Sequence, residues 1–154
     1  MTRYTILFFL VIFLSCNVAP TEQTKLLTGK WKVVSSNVLP FEHISFCKNL
    51  NLNSLFIFDI NGRINVFQTD TSKKSCITYQ KFSVDSSKIT FVEGDMVFFY
   101  DLLKLTKDSL IFRNTDFPKY LISEKNLTPE KDSLINLIKK EGVIVKLVKM
   151  NNGS

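Results

Sequence analysis

The chain has 154 residues, 45% hydrophobic and 22% charged, with 20 basic against 14 acidic side chains and a formal net charge of +6. That length makes one domain, large enough to bury a core. The lysines are scattered, at Lys73, Lys74, Lys81, Lys104, Lys139, Lys140 and Lys146, so the surplus reads as a solvated surface. Nucleic-acid binding would want a basic stripe interleaved with exposed aromatics, which is missing, while attraction to an anionic membrane surface stays open.

Residues 1–15 read as a secretion signal. Arg3 gives the positive start, and Ile6 to Leu14 form an unbroken apolar run, far short of the roughly 20 residues a spanning helix needs. Leu14-Ser15-Cys16 resembles the lipobox of bacterial lipoproteins. The resemblance implies that Cys16 is lipidated and becomes the first mature residue, with two or three acyl chains holding a soluble domain at a membrane. An ordinary cleaved signal with an incidental cysteine and an uncleaved anchor are the alternatives. Asn17-Val18-Ala19 places no acidic residue directly after Cys16. The expected location is therefore the bacterial cell envelope, on the periplasmic face of the outer membrane, with the cell surface left open.

Residues 16–26 are mostly polar and carry Pro20, as a tether between lipid and fold would, leaving 27–154 as the folded domain. Short runs rich in Phe, Ile, Val and Tyr then alternate with turn clusters at the spacing of a sandwich or barrel. They predict eight strands, near 30–36, 54–59, 63–68, 76–84, 88–92, 96–105, 109–114 and 119–124. The connections alternate in length. About 17 residues separate the first two strands, Asn61-Gly62 turns tightly into the third, TDTSKKS follows, and DSS, EGD and TKD are short. In an up-and-down barrel this puts the long loops at one end.

Three cysteines are an odd number for a secreted chain. With Cys16 lipidated, Cys47 and Cys76 remain as one potential disulfide, in a compartment that permits it. The strand count places both at the same rim, where a bridge would pin the long first loop across the mouth. Two buried free thiols are the alternative.

Register follows from the apolar pattern. A three-residue turn with Gly62 in the left-handed conformation pairs Phe58 with Ile64, Phe56 with Val66 and Asp59 with Arg63, giving one apolar face and an opposite-charge pair on the other. Ile89 and Phe91, then Leu110 and Phe112, face inward by the same alternation. Further on, Thr128 caps a helix with Pro129 at its first position. Leu134, Ile135, Leu137 and Ile138 form its apolar stripe, and Gly142 stops it. A short final strand runs from Val143 to Met150.

From residue 25 to 150 this order resembles the lipocalin family, specifically its small bacterial lipoprotein members. Gly29-Lys30-Trp31 matches the Gly-x-Trp of the family's first strand, and LTPEKDSLINLIKKEGVIVKL is similar to its terminal helix and strand. Thr115 to Tyr120 resembles the family's Thr-Asp-Tyr motif, one strand later than the family has it. The basic residue that packs over the tryptophan in lipocalins is not identifiable from the sequence. The resemblance implies an all-β fold, an eight-stranded up-and-down antiparallel barrel with one C-terminal helix and a short final strand. It further implies a calyx closed at one end by Trp31 and open at the other, holding an apolar small molecule. The cavity candidates are Trp31, Val33, Phe56, Phe58, Ile64, Val66, Ile89, Phe91, Leu110 and Phe112.

No catalytic motif is present. The single histidine, His43, reads as a solvated loop residue without metal-ligand neighbours. Asp59, Glu93, Asp95 and Asp101 show no convergence. No metal, cofactor or enzymatic activity is therefore expected. Two functions remain: a membrane-tethered lipocalin-like lipoprotein that binds or carries a small hydrophobic ligand such as a lipid or fatty acid, and a filled barrel serving as an envelope interaction or inhibitor module. A carrier wants an interior void of about 300 Å³ or more, a surface module an exposed apolar patch or charged face.

Overall fold

Alternating apolar runs need a second surface to bury against, and an eight-membered antiparallel sheet supplies it by curling on itself. A computed structural model describes residues 20–44, 47–77, 80–115 and 128–150. In chain order the elements are α1 (Glu22–Leu27), β1 (Gly29–Ser36), β2 (Phe41–His43), β3 (Cys47–Leu50), β4 (Leu55–Phe58), β5 (Ile64–Phe67), β6 (Lys81–Val84), β7 (Lys88–Glu93), β8 (Met96–Leu105), β9 (Ser109–Asn114), α2 (Pro129–Glu141) and β10 (Val143–Lys149).

Eight strands form one sheet in the order β5-β4-β1-β10-β9-β8-β7-β6, every pair antiparallel. The two edges meet. Arg63 and Lys81 form a bridge, Ile64 N–H donates to Gln80 O at 3.2 Å, Phe82 N–H to Gly62 O at 2.7 Å and Cys76 N–H to Val66 O at 2.8 Å. The result is a nearly closed up-and-down barrel in which each wall strand lies beside its neighbour in sequence, and the last pairs with the first.

The mouth receives the connections β1 to β4, β5 to β6, β7 to β8 and β9 to β10. The other end, the base, receives the short turns at 59–63, 85–87 and 106–108 together with the start of β1 and the end of β10. The β4–β5 hairpin has the expected register, with Phe56 opposite Val66, Phe58 opposite Ile64 and Gly62 at φ +77°. Asp59 N–H bonds Arg63 O at 2.7 Å. The Asp59 carboxylate itself accepts from Asn61 N–H at 2.7 Å, an Asx turn that holds it at the hairpin tip.

Three features depart from the sequence-based expectation. First, the wall's eighth strand is β10, while the run expected at 119–124, with most of the Thr115 to Tyr120 motif, lies outside the described residues. Second, the long first connection contains a hairpin, β2 paired with β3. Third, the tether region already carries α1, N-capped by Thr21, with Leu27 buried. Residues 1–15 and Cys16 also lie outside the described residues. α2 is capped by Thr128, starts at Pro129 and ends at Gly142, as the sequence predicts, and buries Ile135 and Ile138.

Candidate functional site

The base is closed by side chains whose polar groups are matched. α1 reaches across it to β6 and β8. Trp31, fully buried near the start of β1, donates its indole N–H to Leu27 O at 2.6 Å. Lys149, from the end of β10, sets its ammonium 5.1 Å from the centre of the Trp31 ring and donates to Leu26 O at 2.8 Å. Burial lowers the Lys149 pKa, and the carboxylate of Asp108 partly offsets this. Gly29 makes the approach feasible: its φ is +132°, and a Cβ there would stand 2.8 Å from Lys149 Cε. Lys149 is the basic partner of the tryptophan that the sequence did not reveal, because only the pairing of the first strand with the last brings the two together.

Above the base the lumen is aromatic. All ten cavity candidates, Trp31, Val33, Phe56, Phe58, Ile64, Val66, Ile89, Phe91, Leu110 and Phe112, lie in one buried cluster. Phe58 meets Phe82 edge-on at 5.0 Å, Phe91 meets Tyr100 at 5.0 Å and Tyr100 meets Phe112 at 5.2 Å. Phe56 and Phe112, whose strands stand nearly opposite one another around the ring, are 5.9 Å apart. At that level the rings bridge the lumen.

The mouth is covered by the β2–β3 hairpin, a lid that belongs to no wall strand. Its inner surface buries Phe41, His43, Ile44, Cys47 and Leu50. A disulfide joins Cys47 to Cys76 beside β5. Ile44 N–H donates to the Tyr100 hydroxyl at 3.1 Å, and Gln68 Nε2 donates to Lys48 O at 2.9 Å.

His43 corrects the sequence reading outright: it is buried, with 0% of its surface exposed. It lies in register opposite Cys47 and points the same way as Phe41, as residues two apart on a strand do. The Phe41-x-His43 alternation was the available signal, masked by the length of the loop around it. The imidazole stands nearly perpendicular to three rings, Phe91 at 4.7 Å, Phe56 at 5.3 Å and Tyr100 at 5.4 Å. Its Nε2 lies 2.8 Å from Gln80 Oε1, and Gln80 Nε2 donates to Glu93 Oε2 at 3.4 Å. With the amide oriented by Glu93, Oε1 accepts, so the proton is assigned to Nε2 and the bare lone pair to Nδ1. That Nδ1 is buried without a hydrogen-bond partner. Burial drives the His43 pKa down to about 4, against the raising effect of the Gln80 bond, so the ring is neutral near pH 7.

The outer wall carries two further features. Arg113 donates through Nε at 2.9 Å and Nη2 at 2.6 Å to Asp101 Oδ2, its cross-strand neighbour. Along β8, Met96, Val97, Phe99 and Leu103 are exposed. An open cleft of about 520 Å³ lies where α2 ends, between Arg113 and Thr115 on one side and Ile138 to Gly142 on the other. Among the described residues no three His, Cys, Asp or Glu side chains come together as metal ligands. Comparison with protein-family models, curated proteins and solved structures finds no match for this chain.

Proposed function

We propose that this chain is a lipid-anchored envelope protein of the lipocalin type that binds a small hydrophobic ligand at the mouth of its barrel. Its role is binding rather than catalysis. The observation that carries this reading is the nature of what fills the mouth. The occupant is a polar imidazole with one nitrogen unmatched, delivered by a lid that is tied to the wall by a disulfide. A site selected only for packing would be better served by Leu or Phe, because a stranded buried acceptor costs about 1–3 kcal/mol. Beneath it lies the kind of surface an apolar ligand uses, with Phe56, Phe91, Tyr100 and Phe112 converging. The Lys149 ammonium over Trp31 adds to the lipocalin resemblance at the base. Cys16 would carry the lipid anchor, at the periplasmic face of the outer membrane.

A second reading is favoured by a specific observation. The Phe56 to Phe112 contact fills the lumen at mid-height, and β8 exposes Val97 and Phe99. A filled barrel acting through that wall, as an interaction or inhibitor module, uses both.

Native mass spectrometry separates the two. The Cys16→Ser protein, recovered from its host's envelope and measured before and after organic extraction, is expected to carry a discrete extractable adduct. Bare polypeptide mass, still bare after incubation with a host lipid extract, would overturn ligand binding and leave the surface module.

A further inference from the structure

We infer that His43 is a built-in plug: its imidazole occupies the ligand's place, and the ligand it yields to is a flat apolar ring bearing one hydrogen-bond donor. This rests on the ligand-binding reading above and names the ligand class and the gate.

The shape of the slot comes from three rings set nearly at right angles to the imidazole plane, at 4.7 to 5.4 Å between centres. Such walls suit a planar guest held in T-shaped contact with its neighbours. The polarity of the slot comes from Gln80. It is fully buried, its amide is oriented towards Glu93, and its Oε1 accepts from whatever sits in the slot, at present His43 Nε2. A guest with one N–H or O–H reproduces that bond. An apolar guest without a further acceptor also avoids what the histidine cannot, the stranded Nδ1. When the lid lifts, water satisfies that nitrogen, so the closed state is weakened by the same atom that makes His43 a poor permanent filling.

The plug is also separable from the wall. Among the described residues β2 and β3 pair only with each other. The lid is held down by the burial of Phe41, Ile44 and Leu50 in the core, by hydrogen bonds that include those to Tyr100, Gln68 and Gln80, and by the Cys47–Cys76 cross-link. The disulfide is the one of these ties that a reductant can break, so reduction raises the fraction of molecules with the lid open, and that fraction scales the apparent affinity for any guest beneath it.

The test uses the full chain carrying Cys16→Ser, with indole and pyrrole as the probes, followed by two-dimensional amide NMR and calorimetry. Dithiothreitol provides the open state. It breaks the S–S bond, leaves thiols at Cys47 and Cys76, supplies two electrons and two protons, and becomes its own cyclic disulfide. Reduction is expected to raise indole affinity by about tenfold or more, with shifts centred on Gln80, Phe91 and Tyr100. Oxidised His43→Ala, which vacates the space of a five-membered ring, is expected to bind pyrrole without reduction, and His43→Phe to bind it least. Unchanged affinity on reduction, indole shifts on the outer wall around Phe99, or no pyrrole binding by His43→Ala would each overturn the plug. So would loss of the fold on reduction, because the lid would then not be separable. A lipid adduct on the host-derived protein with none of these responses would remove the plug and leave the carrier standing. No adduct and no binding of either probe would remove both.

Discussion

The two ends of the barrel solve the same problem, sealing an aromatic lumen, by opposite means. At the base, α1, Trp31 and Lys149 interlock, and their polar groups find partners: the indole N–H at Leu27 O, the ammonium at Leu26 O and over the ring. At the mouth a separate hairpin is clasped by one disulfide and inserts a histidine that leaves a nitrogen unsatisfied. Matched polar groups make a seal that is permanent; an unmatched one under a covalent clasp makes a seal that depends on conditions.

The harshest way to break this contrast is at the base. Trp31→Ala removes the largest fully buried side chain and should cost about 4 kcal/mol, read as a large fall in the urea midpoint. A loss below about 1 kcal/mol would mean that the base is not the anchor of the fold. Next comes the clasp. Cys47→Ser with Cys76→Ser releases a loop closed over a sequence separation of 29 and should cost about 3.6 kcal/mol on chain-entropy grounds. Trp31 fluorescence in the folded protein should not move, since the base is untouched. A shifted spectrum would show that the two ends are not independent.

Acid sharpens the comparison further. Folding depresses the His43 pKa from 6.5 to about 4, so between those values the unfolded chain binds a proton that the folded chain refuses. Stability must therefore rise with pH across that window and fall as pH drops from 6.5 towards 4, by up to about 3 kcal/mol. Denaturation series from pH 7 to pH 4 should show this slope in the native sequence and a clearly shallower one in His43→Phe. Equal slopes would place the acid sensitivity elsewhere. The smallest effect is expected from Lys149→Met, which loses the bond to Leu26 O and the contact over Trp31 but keeps an apolar stem. About 1 kcal/mol should be lost, with no change in the acid slope.

Much of the wall was legible because its signals are local. Phe56, Phe58, Ile64 and Val66 alternate within one hairpin, so the choice between two turn lengths settles which side faces in, and the observed register follows that choice. The Cys47–Cys76 pairing followed from setting Cys16 aside and from a count of strands that put the other two cysteines at one rim. What escaped depends on contacts between residues far apart in sequence. Lys149 earns its place through Trp31 and Gly29, more than a hundred positions away, and nothing near Lys149 announces it. The six residues of α1 are too few to show a helical period. His43 sits in a two-strand lid within a long connection, where Pro40 and scattered polar residues obscure a short alternation. The final strand was recognised, but its promotion to the barrel wall depends on pairing with both β1 and β9.

The pairing of β1 with β10 also bears on how the protein comes into being. A ladder between the first and last wall strands cannot form until almost the whole domain is available, so the closing contacts are the most distant in sequence and the most expensive in loop entropy. During synthesis from the N-terminus, the seven strands before β10 leave a gap beside β1. That gap exposes the inner aromatic surface and two unpaired strand edges. Only arrival of β10 seals them, and with it Lys149 reaches Trp31. The interval before that arrival is when the chain is most exposed to aggregation and has most need of a chaperone.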